Sequence, residues 1–387
     1  MPDPRIAARI EGIAPFHVMD ILARAQAMEA AGRDIIHLEI GEPDFATPAP
    51  IVEAGVAALR AGLTHYTGAL GLPALREAIA GFHAARWQAA VEPARIVVTP
   101  GASGALLLAL GLLAGPGDEV LMADPGYPCN RHFARFCEAR PVSVPVDAAT
   151  DFQLTLDLIE RHATSATRAV LIASPSNPTG TAIAPAELER IHDWCAKRRI
   201  ALVVDEIYLA LTYDGGEHSA SRWSDVFVVN SFSKYFLMTG WRLGWLVAPA
   251  WALPGLERLA QNLFLAASTP AQHAALAAFI PETLAILDAC KNELRARRDF
   301  LLPGLQARGF AVPAIPQGAF YVYVDCTRFS SDSQAFAERL LDEAGIAATP
   351  GIDFGAHRAG AHLRFAYTQP LPRLAQAMER LDGFLQA

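Results

Sequence analysis

Lys234 lies in the run Ser231-Phe232-Ser233-Lys234-Tyr235-Phe236-Leu237-Met238-Thr239-Gly240-Trp241-Arg242-Leu243-Gly244-Trp245, which contains no acid and one further cation, Arg242. Among aromatics and glycines a lysine loses hydration, so its ammonium form is disfavoured and its amine becomes a nucleophile. The hydroxyls of Ser231 and Ser233 and the guanidinium of Arg242 are groups that grip a phosphate. An amine beside a phosphate grip is what a lysine-bound pyridoxal phosphate (PLP) requires, with a Schiff base at one end and an anion anchor at the other. A buried strand with a surface lysine and an aromatic corner fits this stretch as well. The rest of the chain has to decide.

Five other residues have a chemistry that ordinary packing does not explain. Asp205 ends the apolar run Leu202-Val203-Val204, where a carboxylate is costly unless it meets a cation such as a pyridinium nitrogen; a helix cap is the plainer reading. Keeping that nitrogen protonated makes the ring an electron sink. Tyr208, three residues on, and Asn177 in Ser174-Pro175-Ser176-Asn177-Pro178-Thr179-Gly180 can both hydrogen-bond a ring oxygen. Tyr127, held between Gly126 and Pro128, can stack on a ring. Arg364 sits in the apolar strand His362-Leu363-Arg364-Phe365-Ala366, with no acid between Gly355 and Gln369. A buried guanidinium fork needs a carboxylate, supplied either by a ligand or by a distant acid.

The elements around these residues read as alternating strands and helices. Helical spacing covers residues 18–31, with Gly32 placed as a C-terminal cap. A short strand over 35–40 runs into the turn Gly41-Glu42-Pro43-Asp44-Phe45, and a helix opened by Pro48 or Pro50 follows. His65-Tyr66-Thr67 precedes Gly68-Ala69-Leu70-Gly71, which lacks the lysine of a P-loop and reads as a positioning turn. Strand 95–99, the turn Pro100-Gly101-Ala102-Ser103-Gly104 and an apolar helix over 105–113 make a ready anion site. Further strands are expected at 119–123, 169–173, 201–205 and 226–230, and helices at 130–138, 156–162 and 185–198. Such alternation signals a parallel sheet covered on both faces, whose active site lies beyond the carboxyl ends of the strands. Tyr127, Asn177, Asp205, Tyr208 and Lys234 all fall there. Later come helices over 254–279 and a charged helix over 281–302, whose charges read as a solvated face. The strands 319–324 and 362–367 and the helices 333–343 and 372–385 suggest a smaller α+β domain.

Composition narrows the function classes. The 387 residues are 52% hydrophobic and 19% charged, enough for a sizeable core. A net charge of −8 without any dense cluster of lysine or arginine argues against nucleic-acid binding. Five scattered cysteines with no C-x-x-C pair suit reduced thiols and a cytoplasmic setting, not a disulfide scaffold or a zinc site. Neither a signal-like segment over residues 1–10 nor an uncharged run of membrane length is found, so no membrane partner is expected.

In order, Gly41-Glu42-Pro43-Asp44-Phe45, His65-Tyr66-Thr67, Pro100-Gly101-Ala102-Ser103, Asp124-Pro125-Gly126-Tyr127-Pro128, Asn177-Pro178-Thr179-Gly180, Asp205-Glu206-Ile207-Tyr208, the Lys234 segment and Arg364 resemble the class I/II aminotransferases, PLP fold type I, nearest the prokaryotic aspartate-aminotransferase-like branch. The resemblance implies an α/β fold: a large domain over 45–280 with a mostly parallel seven-stranded sheet, and a smaller α+β domain from 1–44 and 281–387. It implies that Lys234 binds PLP and shuttles the proton, that Asp205 pairs with the ring nitrogen, and that Tyr208 and Asn177 meet the ring oxygen while Tyr127 stacks. Ala102, Ser103, Ser231, Ser233 and Arg242 would hold the phosphate, and Tyr66 would reach the phosphate of the other subunit in a homodimer. Arg364, Asn177 and the Gly41 backbone would hold the substrate α-carboxylate. The implied activity transfers an amino group from an L-amino acid to a 2-oxo acid such as 2-oxoglutarate or pyruvate. A β-lyase or other α-carbon elimination runs on the same site. A non-catalytic effector-binding relative would want a DNA-binding extension before Gly41, and none is read there.

The family's substrate pocket is also lined by the segment after the phosphate turn and by the N-terminal segment. Here these read Gly101-Ala102-Ser103-Gly104-Ala105-Leu106-Leu107 and Ala14-Pro15-Phe16-His17-Val18-Met19. The first has no basic residue, and Phe16 and Val18 offer apolar surface. The expected amino donor is therefore apolar or aromatic.

Overall fold

Strands buried on both faces read as unbroken apolar runs, and the central sheet of this chain is built from such runs. The computed structural model describes residues 6–386; residues 1–5 and 387, assigned above to the smaller domain, lie outside them. The chain opens with α1 (His17–Ala30), the short strand β1 (Ile36–His37), α2 (Ala49–Arg60) and α3 (Pro73–Trp87). A βα series follows: β2 (Ile96–Thr99), α4 (Gly101–Leu113), β3 (Glu119–Asp124), α5 (Pro128–Phe136), β4 (Arg140–Pro145), α6 (Leu156–His162), β5 (Thr167–Ala173), α7 (Pro185–Arg198), β6 (Ala201–Asp205) and β7 (Phe227–Ser231). Strand β8 (Gly244–Val247) and helices α8 (Leu253–Leu263), α9 (Thr269–Leu276) and α10 (Pro281–Ala307) come next. The remainder holds β9 (Tyr321–Asp325), α11 (Ser333–Ala344), β10 (Ile346–Ala347), β11 (Thr349–Pro350), β12 (His362–Ala366) and α12 (Leu371–Gln386).

The large sheet has seven strands in the order β2-β8-β7-β6-β5-β3-β4. Its pairings are parallel except at β8, which is antiparallel to both of its neighbours, so β8 alone runs against the rest. The carboxyl ends of β2, β3, β5, β6 and β7 therefore share one edge, and the loop after each reaches the same place. Helix α4 is apolar round its circumference, with Ala105, Leu106, Leu108, Ala109 and Leu110 buried, and it packs against β2, β7 and β8. A three-stranded antiparallel sheet, β11-β12-β9, lies apart, and β1 pairs in parallel with β10. That last pairing joins residues 36–37 to 346–347, the two distant parts of the chain. Among the described residues no single helix is long and apolar enough to cross a membrane.

Two strands of the large sheet, β4 and β8, are not among those expected from the sequence. β4 is an edge strand with Pro141 and Pro145, mostly exposed or half-buried, as proline-bearing edges are. β8 is a four-residue strand opened by glycine. The charged helix also departs from expectation, since α10 is longer than anticipated and its charges are not simply solvated. Arg297 is buried, bonding Asp44 at 2.6 Å and the Thr368 carbonyl at 2.7 Å. Arg298 is buried too, bonding Asp214 at 2.6 Å and the Pro316 carbonyl at 3.0 Å. The α10 charges thus pin the turn at 41–45 and the loop at 214–216.

One glycine fixes how the sheet meets α4. A Cβ on Gly244 would lie 2.7 Å from the Gly101 carbonyl carbon, 2.8 Å from the Ala102 nitrogen and 2.8 Å from the Asn230 oxygen, all of them backbone atoms. Gly244→Ala should destabilise the fold by about 1–3 kcal/mol. Denaturant unfolding monitored by tryptophan fluorescence checks this; a variant as stable as the parent would mean that the turn relaxes freely.

Candidate active site

The loops from the shared strand edge, the turn after β1, the start of α1 and the strand β12 enclose a cavity of about 330 Å³. Its lining includes Gly41, Ala102, Ser103, Tyr127, Asn177, Asp205, Tyr208, Ser231, Ser233, Lys234, Arg242 and Arg364, with Phe16, Val18 and Met19 on its apolar side. Every cofactor or substrate residue singled out from the sequence is there except Tyr66, which is 81% exposed and lies outside the cavity of its own chain.

One end of the cavity is built for an anion. Ala102 and Ser103 belong to the first turn of α4, where free N–H groups and the helix dipole point outward. Gly101 has φ +70°, and a Cβ there would lie 2.8 Å from Nη2 of Arg242, so only glycine lets the guanidinium approach the helix end. Arg242 donates to the Thr239 carbonyl at 2.9 Å, and Ser231 Oγ accepts from the Ser233 N–H at 3.0 Å.

The centre holds charged groups that lack full partners. Lys234 Nζ donates to the Gly41 carbonyl at 2.7 Å. Burial, and after it the Arg364 and Arg242 cations, lower the amine's pKa from 10.5 to about 8. Asp205 is 3% exposed and accepts one hydrogen bond, from the Ile207 N–H at 3.1 Å. Burial pushes its carboxyl up to about 7, against the pull of that N–H and of Lys234. The adjacent Glu206 is buried for another purpose. It accepts from Ser219 Oγ at 2.7 Å and the Ala220 N–H at 2.6 Å, and so holds the loop before β7.

At the other end Arg364 is 4% exposed. It donates to Asn177 Oδ1 at 2.8 Å, the Glu39 carbonyl at 2.5 Å and Thr349 Oγ1 at 3.1 Å, while its Nε has no partner. Among the described residues none of its partners is a carboxylate, which removes the distant-acid reading. Asn177 is engaged here with Arg364, a contact that its turn motif does not reveal.

The structure adds residues that sequence reasoning missed. Tyr321 bonds Tyr208 hydroxyl to hydroxyl at 2.9 Å and lies under the Arg364 guanidinium at 4.2 Å. Its hydroxyl fills the space a Cβ on Gly41 would need. The run Gly318-Ala319-Phe320-Tyr321 at the start of β9 was the available signal. Glu39, Glu42 and Asp353 also line the cavity, and so do Ile40, Thr239 and Phe354. Of the Gly68–Gly71 turn, the Leu70 carbonyl accepts from the Val98 N–H at 3.0 Å, and the turn is absent from the cavity lining, in keeping with a positioning role.

The lowered pKa gives a direct test. Below about pH 8 Lys234 is an ammonium, and above it a free amine. Acylation of Lys234 by a small amine reagent, followed by peptide mass mapping of the ligand-free chain, should be half-maximal near pH 8; a midpoint near the ordinary 10.5 would show that the amine is solvated.

Comparison with known proteins agrees with this geometry. The family described as aminotransferase class I and II matches residues 33–381. The valine–pyruvate aminotransferase of Mycobacterium tuberculosis is 39% identical over 384 residues, 98% of each chain. The arginine–pyruvate transaminase of Pseudomonas aeruginosa is 36% identical over 94% of this chain and 93% of its own. A crystal structure of an aminotransferase from Mycobacterium tuberculosis superposes with a TM-score of 0.95 at 38% identity, covering 99% of this chain and 100% of the other. Sequence, fold and cavity thus agree that this chain belongs to the class I and II aminotransferases, enzymes that use pyridoxal phosphate to move amino groups between amino acids and 2-oxo acids.

Proposed function

We propose that the enzyme passes the amino group of an apolar or aromatic L-amino acid to a small 2-oxo acid, pyruvate before 2-oxoglutarate. The observation that carries the donor side is the charge count of the cavity. Its cations, Lys234, Arg242 and Arg364, each have a task already, while Glu39, Glu42 and Asp353 add acids to the lining. A second carboxylate on the donor would lose its hydration without meeting a free cation. Phe16, Val18, Met19, Ile40 and Leu106 instead offer apolar area, which stabilises an apolar side chain by roughly 25 cal/mol per Å² buried. Pyruvate is the acceptor named for both the mycobacterial and the pseudomonad relatives.

The residues present fit PLP. The buried Asp205 carboxylate wants a cation, the α4 cup wants a phosphate, and the Arg364 guanidinium, bonded only to neutral groups among the described residues, wants a carboxylate. When bound, the cofactor supplies an electron sink for the α-carbon. Asp205 would hold its ring nitrogen protonated, Tyr208 would bond its ring oxygen and Tyr127 would cover one face. Ala102, Ser103, Ser231, Ser233 and Arg242 would fix the phosphate. Arg364, set by Asn177 and the Glu39 carbonyl, would clamp the donor's α-carboxylate beside the Gly41 backbone and so aim the α-hydrogen at Lys234. With its lowered pKa, Lys234 would attach the cofactor and then, once displaced, take up and return the proton.

We assign the large domain to residues 45–280, which contain the whole seven-stranded sheet, and the smaller one to 1–44 and 281–387, joined by the β1–β10 pairing. The exposed Tyr66 supports a homodimer in which it reaches the partner's phosphate. Five free cysteines suit a reducing cytoplasm.

The donor reading is tested by the half-reaction, in which cofactor absorbance changes on adding valine, leucine, phenylalanine, arginine, aspartate or glutamate. An apolar donor should react about a hundredfold faster per mole than aspartate; a preference for aspartate would show a cation supplied from elsewhere. The shared site is tested by mixing subunits. Lys234→Ala and Tyr66→Ala proteins, each inactive or impaired alone, should regain activity when unfolded and refolded together. A fully active monomer in sedimentation would exclude sharing.

A further inference from the structure

Helix α1 begins without a local cap. Its N-terminal flank is Phe16, whose side chain cannot accept a hydrogen bond, so the first N–H groups of the helix need an acceptor from elsewhere. Asp353 provides it from 336 residues away. One of its oxygens accepts from the His17 N–H at 2.7 Å and the other from the Val18 N–H at 3.0 Å. The carboxylate is 3% exposed, and its charge opposes the positive end of the helix. The Asp353 backbone is tied down in turn, since its carbonyl accepts from Arg131 Nη2 at 2.9 Å.

Two consequences follow from where the clamp sits. Phe16, Val18 and Met19, the apolar wall of the cavity, are the residues that the clamp orients. Phe354, next to Asp353, packs on the Arg364 guanidinium at 4.9 Å. The segment before α1 is attached elsewhere: the Gly12 carbonyl accepts from Arg135 on α5, and Arg9 reaches the Phe136 carbonyl at 3.4 Å. Phe16 therefore lies on a short span between two anchors; the body of α1 is held by Ile21 and Ala25 packing on Leu341 and Ala347, while Asp353 fixes its first turn beside the cavity.

We propose that Asp353 is a specificity-setting positioning residue: by capping α1 with both oxygens it holds the Phe16–Met19 wall at a set distance from the Arg364 carboxylate clamp, so that the donor's side chain is measured against its α-carboxylate. This rests on the reading that the Phe16–Met19 wall faces the donor side chain. Asp353 lines the cavity, but both of its oxygens are taken up by the His17 and Val18 N–H groups, so its part is to position the wall. Its loss should cost little for a donor too small to reach the wall and more for a large one.

The test uses PLP-loaded enzyme and the half-reaction with alanine, valine and phenylalanine. Asp353→Asn keeps one acceptor oxygen and Asp353→Ala keeps none. Phenylalanine and valine should lose about tenfold in second-order rate constant with Asn and more with Ala. Alanine should lose no more than about threefold, and the pH titration of cofactor absorbance should stay where it is in the parent. A uniform loss across donors, no loss, or failure of both variants to fold with PLP overturns the proposal. The parent's own preference between phenylalanine and aspartate tests the wall reading separately, because the Asp353 effect is read only as a variant-to-parent ratio.

Discussion

Asp205 and Arg364 are both buried, both line one cavity, and neither forms an ion pair within the described chain. Burying an unpaired charge is among the most costly things a fold can do. Most of the architecture offsets that cost. β6 and β12 bring the two charges to the cavity, the Ile207 N–H bonds the carboxylate, and Asn177, Thr349 and the Glu39 carbonyl bond the guanidinium. The remaining deficit is what a zwitterionic ligand on a cationic ring would fill. The lowered Lys234 pKa comes from the same source, since burial beside Arg364 is what frees the amine.

The parallel sheet explains why residues so far apart in sequence meet. Five strands deliver their loops to one edge, and because β8 returns antiparallel, Arg242 and Gly244 arrive at that edge too. The smaller sheets supply what the large one cannot, namely a guanidinium from β12 and an aromatic floor from β9. Helix α10 ties distant segments together, buried Arg297 bonding Asp44 and the Thr368 carbonyl and buried Arg298 bonding Asp214 and the Pro316 carbonyl.

Much of the site was legible because its residues end apolar runs. Asp205, Asn177, Tyr127 and Lys234 each follow a strand whose type is plain from composition, and an acid or amine there calls for a reason. Tyr321, Glu39 and Asp353 were not legible, since their roles depend on contacts between the two chain ends. Nothing local marks Asp353 as the cap of a helix that starts at His17. The buried arginines of α10 look, in sequence, like any solvated charge run; only the position of Asp44 and Asp214 distinguishes them. β4 escaped because its proline-bearing, largely exposed sequence shows no apolar signature, and β8, though apolar and buried, because it continues the Lys234 run without a break in composition.

The contact between Gly41 and Tyr321 constrains how this chain can be recombined with its relatives. The phenol occupies the volume that any side chain at 41 would take, so these two positions behave as lock and ward across 280 residues of sequence. A chimaera whose crossover point falls between them inherits the two halves from different parents. It would assemble only if the donor of the N-terminal piece kept glycine there or the donor of the C-terminal piece brought a smaller ring neighbour. Crossovers placed before residue 41 or after residue 321 leave that pair intact.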